Sequence, residues 1–297
     1  MDVEAFPRIP IGDWSAEGID WLTENVSWLF DIFSEVNEFL IEGLAIFLIS
    51  IPALILLALF ALFGWFIRSP KFAIGSALGF ILVMCMRQWD TMLQTMALVL
   101  IATISAIIVA IPLGIWAAKS NTVSTIVRPI MDFMQTMPAF VYLIPAVTFF
   151  SIGVVPGIFS TIIFALPPGV RMTELGIRNV DEETVEAGKA YGATGWQILK
   201  GIQFPLAIPT IMAGINQVIM LSLSMAVIAG MVGADGLGKE VVSAISTLDI
   251  AQGVEAGLAV VILAVFLDRI TAALGTPSNY PSALRSKIGK ARKKQDA

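Results

Sequence analysis

Seven long apolar runs, almost free of charged residues, divide this sequence. Each is about 15 to 28 residues long, and a helix of about 20 apolar residues crosses a hydrocarbon core of about 30 Å. Only 14% of the residues are charged, whereas soluble domains carry about 25%. The sequence therefore predicts an all-α integral membrane protein. The predicted spans are Leu44–Ile67, Phe72–Met86, Thr91–Ala118, Ile130–Ile152, Val154–Val170, Leu206–Val232 and Ile250–Ile270.

The positive charges are distributed unevenly between the two sides of this predicted bundle. If the spans alternate from an N-terminus outside the cell, 15 of the 18 lysines and arginines fall in cytoplasmic segments. Short cytoplasmic loops of membrane proteins collect such residues, so the bias predicts an N-out/C-in topology with an odd number of spans. In the fifth span, Pro167 and Pro168 are expected to kink or end the helix because proline removes a backbone donor.

The two ends of the chain carry opposite charge. Residues 1–43 contain ten acidic side chains and one arginine, whereas residues 276–297 contain six basic side chains and one aspartate. In the acidic tail, apolar residues recur at a 3-4 spacing opposite most of the acids, which predicts an amphipathic helix. This helix either lies on the outer membrane surface, with Trp21 and Trp28 at the headgroups, or packs on the bundle. The apolar stripe comprises Ile19, Leu22, Val26, Leu29, Phe33, Val36 and Leu40.

Composition restricts the chemistry of this chain. It has no histidine, and its one cysteine, Cys85, lies in the second apolar run, where we expect a small buried residue. A disulfide within the chain and a Cys/His metal site are both excluded. Without histidine or deep carboxylate pairs, a membrane-embedded enzyme has no nucleophile–base set. We therefore expect no catalytic residue and no metal site.

The longest hydrophilic segment between spans runs from Arg171 to Pro205 and is cytoplasmic by the charge argument. Asp181 is placed to cap a first short helix, and Gly192 to end it. Thr194 and Gln197 have capping-box spacing for a second helix, which is expected to end before the proline. A helical hairpin of this kind suits docking to a cytoplasmic partner.

Within this segment the chain resembles the permeases of type I ATP-binding-cassette (ABC) importers. Their pattern is E-A-A-x3-G-x9-I-x-L-P, and five of its seven marked positions match here, with Gly188 replacing the second alanine and Phe204 replacing leucine. The resemblance implies the type I permease fold and a loop that couples the pore to a cytoplasmic ATPase. The implied coupling residues are Glu186, Ala187, Gly188, Gly192, Ala193, Ile202 and Pro205.

Other runs resemble the glycine betaine/proline betaine/choline branch of these permeases, over about residues 44–275. The resemblance implies an importer in a bacterial inner membrane for one of several osmolytes: glycine betaine, proline betaine, choline, carnitine or trimethylamine N-oxide. It also implies three protein partners, namely a second copy of the chain, a dimer of ATP-binding subunits that holds ATP and Mg²⁺, and a periplasmic substrate-binding protein. No nucleic acid and no cofactor of the chain itself are expected. The matching runs are Leu113–Ala117, Met134–Tyr142, Thr161–Pro167, Pro209–Gly214 and Leu267–Arg269.

Four regions follow from this resemblance and from the charge pattern. Residues 1–43 form an acidic periplasmic tail, and residues 44–89 form two N-terminal transmembrane helices. Residues 90–275 form the ABC transmembrane type-1 core domain. Residues 276–297 form a basic cytoplasmic tail.

One short motif imitates a nucleotide site. Residues Gly233 to Lys239 spell G-x4-G-K, but Glu240 stands where a P-loop needs Ser or Thr, and its carboxylate would repel phosphate. No strand is predicted before the motif, which the topology places outside the cell. We interpret it as a glycine-rich turn after the sixth span.

Few polar residues lie within the spans. Asn216 and Gln217 are the strongest candidates to face the translocation pathway, although hydrogen bonding between helices explains them slightly better. An ion-coupled secondary transporter is the main alternative function, but it should show deep ionisable pairs or broken helices at matching positions, and the sequence suggests neither. The full set of pathway candidates is Gln135, Phe140, Asn216, Gln217, Met220 and Ser224.

The charge bias gives a first testable prediction. A reporter that is active only in the cytoplasm should be active when fused after Ala297 and inactive when fused before Asp2. A reporter active only outside the cell should give the opposite result at both positions. The reverse pattern for the pair would show that the topology is wrong.

Overall fold

The computed structural model describes residues 10–276 and 279–286, which are helical with no strand among them. Short 3₁₀ turns cover Ala139–Tyr142 and Gly230–Val232, and a π-helical turn covers Leu199–Gln203. The α-helices are α1 (Ile11–Asn25), α2 (Ser27–Ser50), α3 (Ala53–Ile67), α4 (Pro70–Cys85), α5 (Trp89–Lys119), α6 (Asn121–Thr136), α7 (Leu143–Phe150), α8 (Val154–Arg178), α9 (Glu182–Ala190), α10 (Gly195–Ile198), α11 (Phe204–Ala229), α12 (Leu237–Thr247) and α13 (Ile250–Gly275).

Helices α5, α8 and α11 form the centre of the bundle and approach one another through small residues. A Cβ added at Gly114 of α5 would lie 2.6 Å from the Cβ of Thr173 on α8. One added at Gly169 of α8 would lie 2.8 Å from the Cβ of Ala110. On the other side of α8, a Cβ at Gly214 would lie 2.6 Å from that of Met172. Between membrane helices the hydrophobic effect is weak, so such close backbone contact supplies much of the packing energy.

Helix α8 corrects the expectation for Pro167 and Pro168. The helix continues through both prolines to Arg178, and both are buried. Its neighbours α5 and α11 hold this segment from both sides, since Ala110 and Val218 both lie close to Gly169. Surrounding helices make proline tolerable within a membrane helix. The predicted end at Val170 therefore placed Glu174 and Arg178 outside the helix that contains them.

Two predicted spans are broken rather than straight. The first apolar run divides between α2 and α3, which meet at an angle of 105° after Ser50, and the fourth divides between α6 and α7, at 106° after Thr136. Pro52 and Pro138 follow these two breaks, as expected where proline cannot continue a helix. Sequence periodicity predicted neither break.

The described part of the chain contains four helices long and apolar enough to cross a membrane, or six spans if each bent pair counts as one. Helix α4 is apolar but has only 16 residues. The long helices are α5, α8, α13 and the continuous helical segment from Gly195 to Val232 that contains α10 and α11.

The two N-terminal helices differ in how far they pack on the bundle. Helix α1 has no buried residue, whereas α2 buries Asn37, Ile41, Ala45 and Leu48 against the bundle. Val26 separates the two helices and interrupts the predicted apolar stripe. Of that stripe, Phe33 packs against the core, whereas Leu22, Leu29, Val36 and Leu40 are exposed. Helix α2 also continues past residue 43, so no structural break marks the expected end of the tail.

Segments predicted to be cytoplasmic meet at one end of the bundle. Arg68, after α3, donates a hydrogen bond to the carbonyl of Arg269 near the end of α13, at 3.1 Å. Lys119, at the end of α5, donates to Gln203 at 2.6 Å.

The expectation that Cys85 is buried is wrong. Cys85 is exposed, because α4 turns Ser76, Phe80 and Val83 inward.

The packing of α5 against α8 gives a stability prediction. Gly114→Ala should destabilise the protein by about 1–3 kcal/mol, the usual cost of forcing extra volume into a filled core. Gly75→Ala is the matched control, because a Cβ there meets nothing within 4 Å and alanine favours a helix by up to about 1 kcal/mol. Thermal unfolding midpoints in detergent measure both changes. Equal midpoints would show that the α5–α8 contact is loose.

A candidate coupling loop and translocation face

The hydrophilic loop between α8 and α11 begins with a capped helix, as predicted. The carboxylate of Asp181 accepts hydrogen bonds from the hydroxyl of Thr184 at 2.7 Å and from its backbone N–H at 3.0 Å. These bonds lower the pKa of the Asp181 carboxyl. A lowered pKa means that the cap stabilises α9 above the ordinary pKa of aspartate and is lost as pH falls through the lowered value.

Gly192 ends this first helix in a left-handed conformation. Its φ is +78°, which side chains with a Cβ rarely adopt. The second helix starts with the predicted capping box, in which the amide oxygen of Gln197 accepts from the backbone N–H of Thr194 at 2.7 Å. Both turns of the loop therefore follow from local sequence.

The second short helix does not end before Pro205, contrary to expectation. Helix α10 passes into the π-turn Leu199–Gln203, and α11 begins at Phe204 without a break. The N–H of Phe204 bonds to the carbonyl of Leu199, five residues earlier, so the widened turn accommodates a proline at the start of the next helix. The loop and the span α11 consequently form one continuous rod.

The structure explains why glycine stands at position 188, where the family pattern has alanine. A Cβ at Gly188 would lie 2.7 Å from the Cδ1 of Ile202. The glycine lets α9 pack closely on the side of the rod. Of the seven coupling candidates, Gly188 and Ile202 thus hold the two arms of the loop together, and Glu186, Ala187 and Pro205 are exposed.

The tip of the loop presents large apolar side chains. Tyr191 is 93% exposed and Trp196 is 69% exposed. Exposed aromatic residues on a rigid helical tip are typical anchors for a protein partner. The loop has the shape and surface of a docking element.

The pathway candidates divide into two groups. Gln217, Met220 and Ser224 lie along one exposed side of α11, and Gln135 and Phe140 are exposed at the break between α6 and α7. Asn216 faces away from that side: its amide donates to the carboxylate of Asp268 on α13 at 2.8 Å. For Asn216 the structure supports hydrogen bonding between helices rather than a pathway role.

A charged cluster between α6 and α8 is absent from the sequence predictions. Glu174, with its side chain 6% exposed, lies 2.9 Å from nitrogens of both Arg128 and Arg178, and Arg171 pairs with Asp132. These residues line a cavity of about 490 Å³. The regular spacing of charges in residues 128–132 and 171–178 was a usable signal, but ending the fifth span at Val170 obscured it.

The glycine-rich turn at residues 233–239 serves helix packing. Gly236 has a φ of +115° and would place a Cβ 2.5 Å from the hydroxyl of Thr95, and that hydroxyl accepts the backbone N–H of Leu237 at 2.8 Å. The N–H groups of Lys239 and Glu240 point to the carbonyl of Gly236. These donors are therefore already engaged. Asp235 bonds the Lys239 ammonium at 2.7 Å and raises its pKa.

Comparison with known proteins places these features in one family. Residues 110–276 match the family described as the binding-protein-dependent transport system inner membrane component. The glycine betaine transport system permease protein OpuAB of Bacillus subtilis is 49% identical over 269 residues, which cover 91% of this chain and 95% of that protein. The glycine betaine/carnitine transport permease protein GbuB of Listeria monocytogenes is 47% identical over 276 residues, covering 90% and 96%.

The chain belongs to the binding-protein-dependent transport system inner membrane components. The fold agrees: an inward-facing structure of the MetNI methionine ABC transporter superposes with a TM-score of 0.60 at 19% identity, over 64% of this chain and 95% of that one. This permease is therefore a multi-pass membrane protein with the type I ABC importer fold. The predicted family and the all-α type I permease fold are confirmed, and the seven spans and the N-out/C-in topology stay predictions.

Gly192 gives a sharp test of the loop in this permease. Gly192→Val should cost about 1–2 kcal/mol in the turn, because a left-handed conformation is unfavourable for a residue with a Cβ, and no atom lies within 4 Å of that Cβ to add a clash. We expect uptake by the complete importer to fall while membrane insertion is unchanged. Gly195→Ala, equally unobstructed, is the control and should transport normally. Normal uptake by the valine variant would exclude the loop as the coupling element.

Proposed function

We propose that this permease is the pore-forming subunit of an ATP-driven importer, in a bacterial inner membrane, for glycine betaine or a related quaternary-amine osmolyte. The observation that carries the proposal is the loop from Glu186 to Pro205, which joins a protein-docking tip to a membrane-spanning rod. The family and the names of the relatives support the same conclusion.

In this proposal, the loop transmits the energy of ATP hydrolysis from the ATPase to the pore. A cytoplasmic ATPase dimer holds ATP and Mg²⁺ and grips the exposed tip, including Tyr191 and Trp196. Because α10, the π-turn and α11 are continuous, a movement of the tip displaces the span that carries Gln217, Met220 and Ser224. The chain itself supplies no hydrolytic residues.

A second copy of the chain completes the pathway. The candidate face of α11 is open on one side in the single chain, with Gln217 and Ser224 exposed. Polar groups directed into lipid are unfavourable, so a facing copy explains this surface better than lipid does. Phe140, 52% exposed at the helix break, adds an aromatic ring whose face attracts a quaternary ammonium.

A periplasmic substrate-binding protein selects the cargo and delivers it to the outer side. The relatives act on glycine betaine, or on glycine betaine and carnitine, according to their names. We place glycine betaine first on that basis, with proline betaine, choline, carnitine and trimethylamine N-oxide as alternatives within the same chemistry. Binding measurements with the cognate receptor distinguish these cargoes.

An ion-coupled secondary transporter is the second candidate, favoured by one observation. The two bent helix pairs, at 105° and 106°, are a feature that such carriers use at their substrate sites. The family identity and the docking loop argue for the ATP-driven importer instead.

Reconstitution in liposomes separates the two functions. The permease alone should neither hydrolyse ATP nor move glycine betaine, and both activities should appear when the ATPase and the substrate-binding protein are added. Transport by the lone permease under an ion gradient would establish the secondary transporter.

Lys239→Ala tests the nucleotide-like motif in the same system. We expect near-normal ATP turnover, because the lysine is paired with Asp235 and the turn lies on the predicted outer side. Any effect should appear in the response to the loaded receptor. Loss of ATP hydrolysis with assembly intact would make the turn a phosphate site.

A further inference from the structure

Glu174 is a buried carboxylate at the contact between α6 and its own helix, α8. Its Oε1 accepts hydrogen bonds from the Ser124 hydroxyl at 2.7 Å and from Arg128 at 2.9 Å, both on α6. It also lies 2.9 Å from the Nε of Arg178, one turn later on α8. Its side chain is only 6% exposed, so these three contacts, rather than water, compensate for its negative charge.

Arg178 extends the same network to the end of α5. One of its guanidinium nitrogens donates to the carbonyl of Ala117 at 2.8 Å, and another donates to the side chain of Asn121 at 2.9 Å. The cytoplasmic ends of α5, α6 and α8 are therefore joined by one connected set of polar contacts centred on Glu174.

Helix α6 depends on this network for its position. Only Ser124, Val127 and Met131 are buried among its 16 residues. Beyond those contacts, α6 is fixed to α8 by Arg128 on Glu174 and by Asp132 on Arg171. Salt-bridge and hydrogen-bond networks with discrete arrangements can carry energetic coupling between elements, so these pairs are suited to make α6 follow α8.

The network lies between the coupling loop and the break in α6–α7. Arg178 is the last residue of α8, and α9 of the loop begins at Glu182. At its other end, α6 leads to the break at Met137, next to Gln135 and Phe140. A displacement of the loop can therefore reach Gln135 on α6 through α8 and these charge pairs.

We infer that Glu174 is a positioning residue that makes α6 move with α8 and the coupling loop as one body. The inference rests on the proposed function, since it assumes that the loop receives a movement from an ATPase. Glu174 acts here through Arg128 and Arg178 and touches no cargo. Asp132 and Arg171 form a second, more exposed ion pair between α6 and α8.

The test uses the complete importer in liposomes, with ATP hydrolysed per glycine betaine transported as the readout. Glu174→Gln should assemble and hydrolyse ATP, but the ratio should rise several-fold, within the about 2- to 30-fold range reported for substitutions in coupled networks. Glu255→Gln is the matched control, an exposed glutamate on α13 outside the network, and should keep the wild-type ratio.

A charge exchange distinguishes positioning from general stability. Arg171→Asp places two carboxylates together and should raise the ratio, and the double variant D132R/R171D should restore it because the pair is rebuilt in reverse. A purely structural role would lower the thermal midpoint of Glu174→Gln at an unchanged ratio and would overturn the inference. A cargo contact would change the apparent KM for glycine betaine at an unchanged ratio, and would also overturn it.

Failure of the proposed function gives a different result. A wild-type importer whose ATP hydrolysis is independent of transport would remove the function and the inference together. A coupled wild type with equally coupled Glu174→Gln, Arg171→Asp and double variants would remove the inference alone.

Discussion

The close approach of α5, α8 and α11 is the contact on which the rest of the structure depends. Where Gly114, Gly169 and Gly214 meet neighbouring helices, a single methyl group would force the backbones apart. Membrane helices gain little from the hydrophobic effect when they associate, because lipid is as apolar as leucine. Small residues therefore set how closely these helices pack. That spacing also lets α8 continue through two prolines to Glu174 and Arg178.

The same central helices connect the two sides of the membrane. On one side, the glycine turn before α12 closes on Thr95 of α5. On the other side, Lys119 of α5 contacts Gln203 in the π-turn. Each end of the tightly packed centre is therefore tied to an irregular segment, and these segments are where partners are proposed to dock. A rigid centre with polar ties at both ends suits a protein that must transmit movement across a membrane.

Local chemistry made the coupling loop predictable from sequence. The cap at Asp181, the capping box at Thr194 and the left-handed glycine at 192 each depend on residues within about one helical turn. The family and the class of function were implied by the resemblance of the same segment to the permease pattern. Pro205 was misread because a π-turn relaxes the usual rule that a helix stops before proline, and nothing in a single sequence signals that turn.

Long-range packing made the remaining elements unpredictable. Hydropathy recognised the apolar runs but not the breaks at Ser50 and Thr136, because apolar residues continue beyond each break. It also ended the fifth span at Val170, although tertiary contacts with Ala110 and Val218 hold the helix intact. As a result, the charged residues after Val170 were assigned to the loop. The structure places Arg171, Glu174 and Arg178 on α8, where their network reaches residues of α6.

The exposed surface of one chain mixes regions with different partners. Much of it is apolar, as lipid requires, but the side of α11 that carries Gln217 and Ser224 is polar within a span. Polar groups at that depth are costly in hydrocarbon, although hydroxyls can bond back to their own helix, as Ser224 does to the carbonyl of Met220. Gln217 has a longer side chain and a larger hydrogen-bonding requirement. A facing surface that supplies water, cargo or a second copy of the chain satisfies it, and lipid does not. The exposed polar side of α11 therefore supports the proposal that a second copy of the chain faces it.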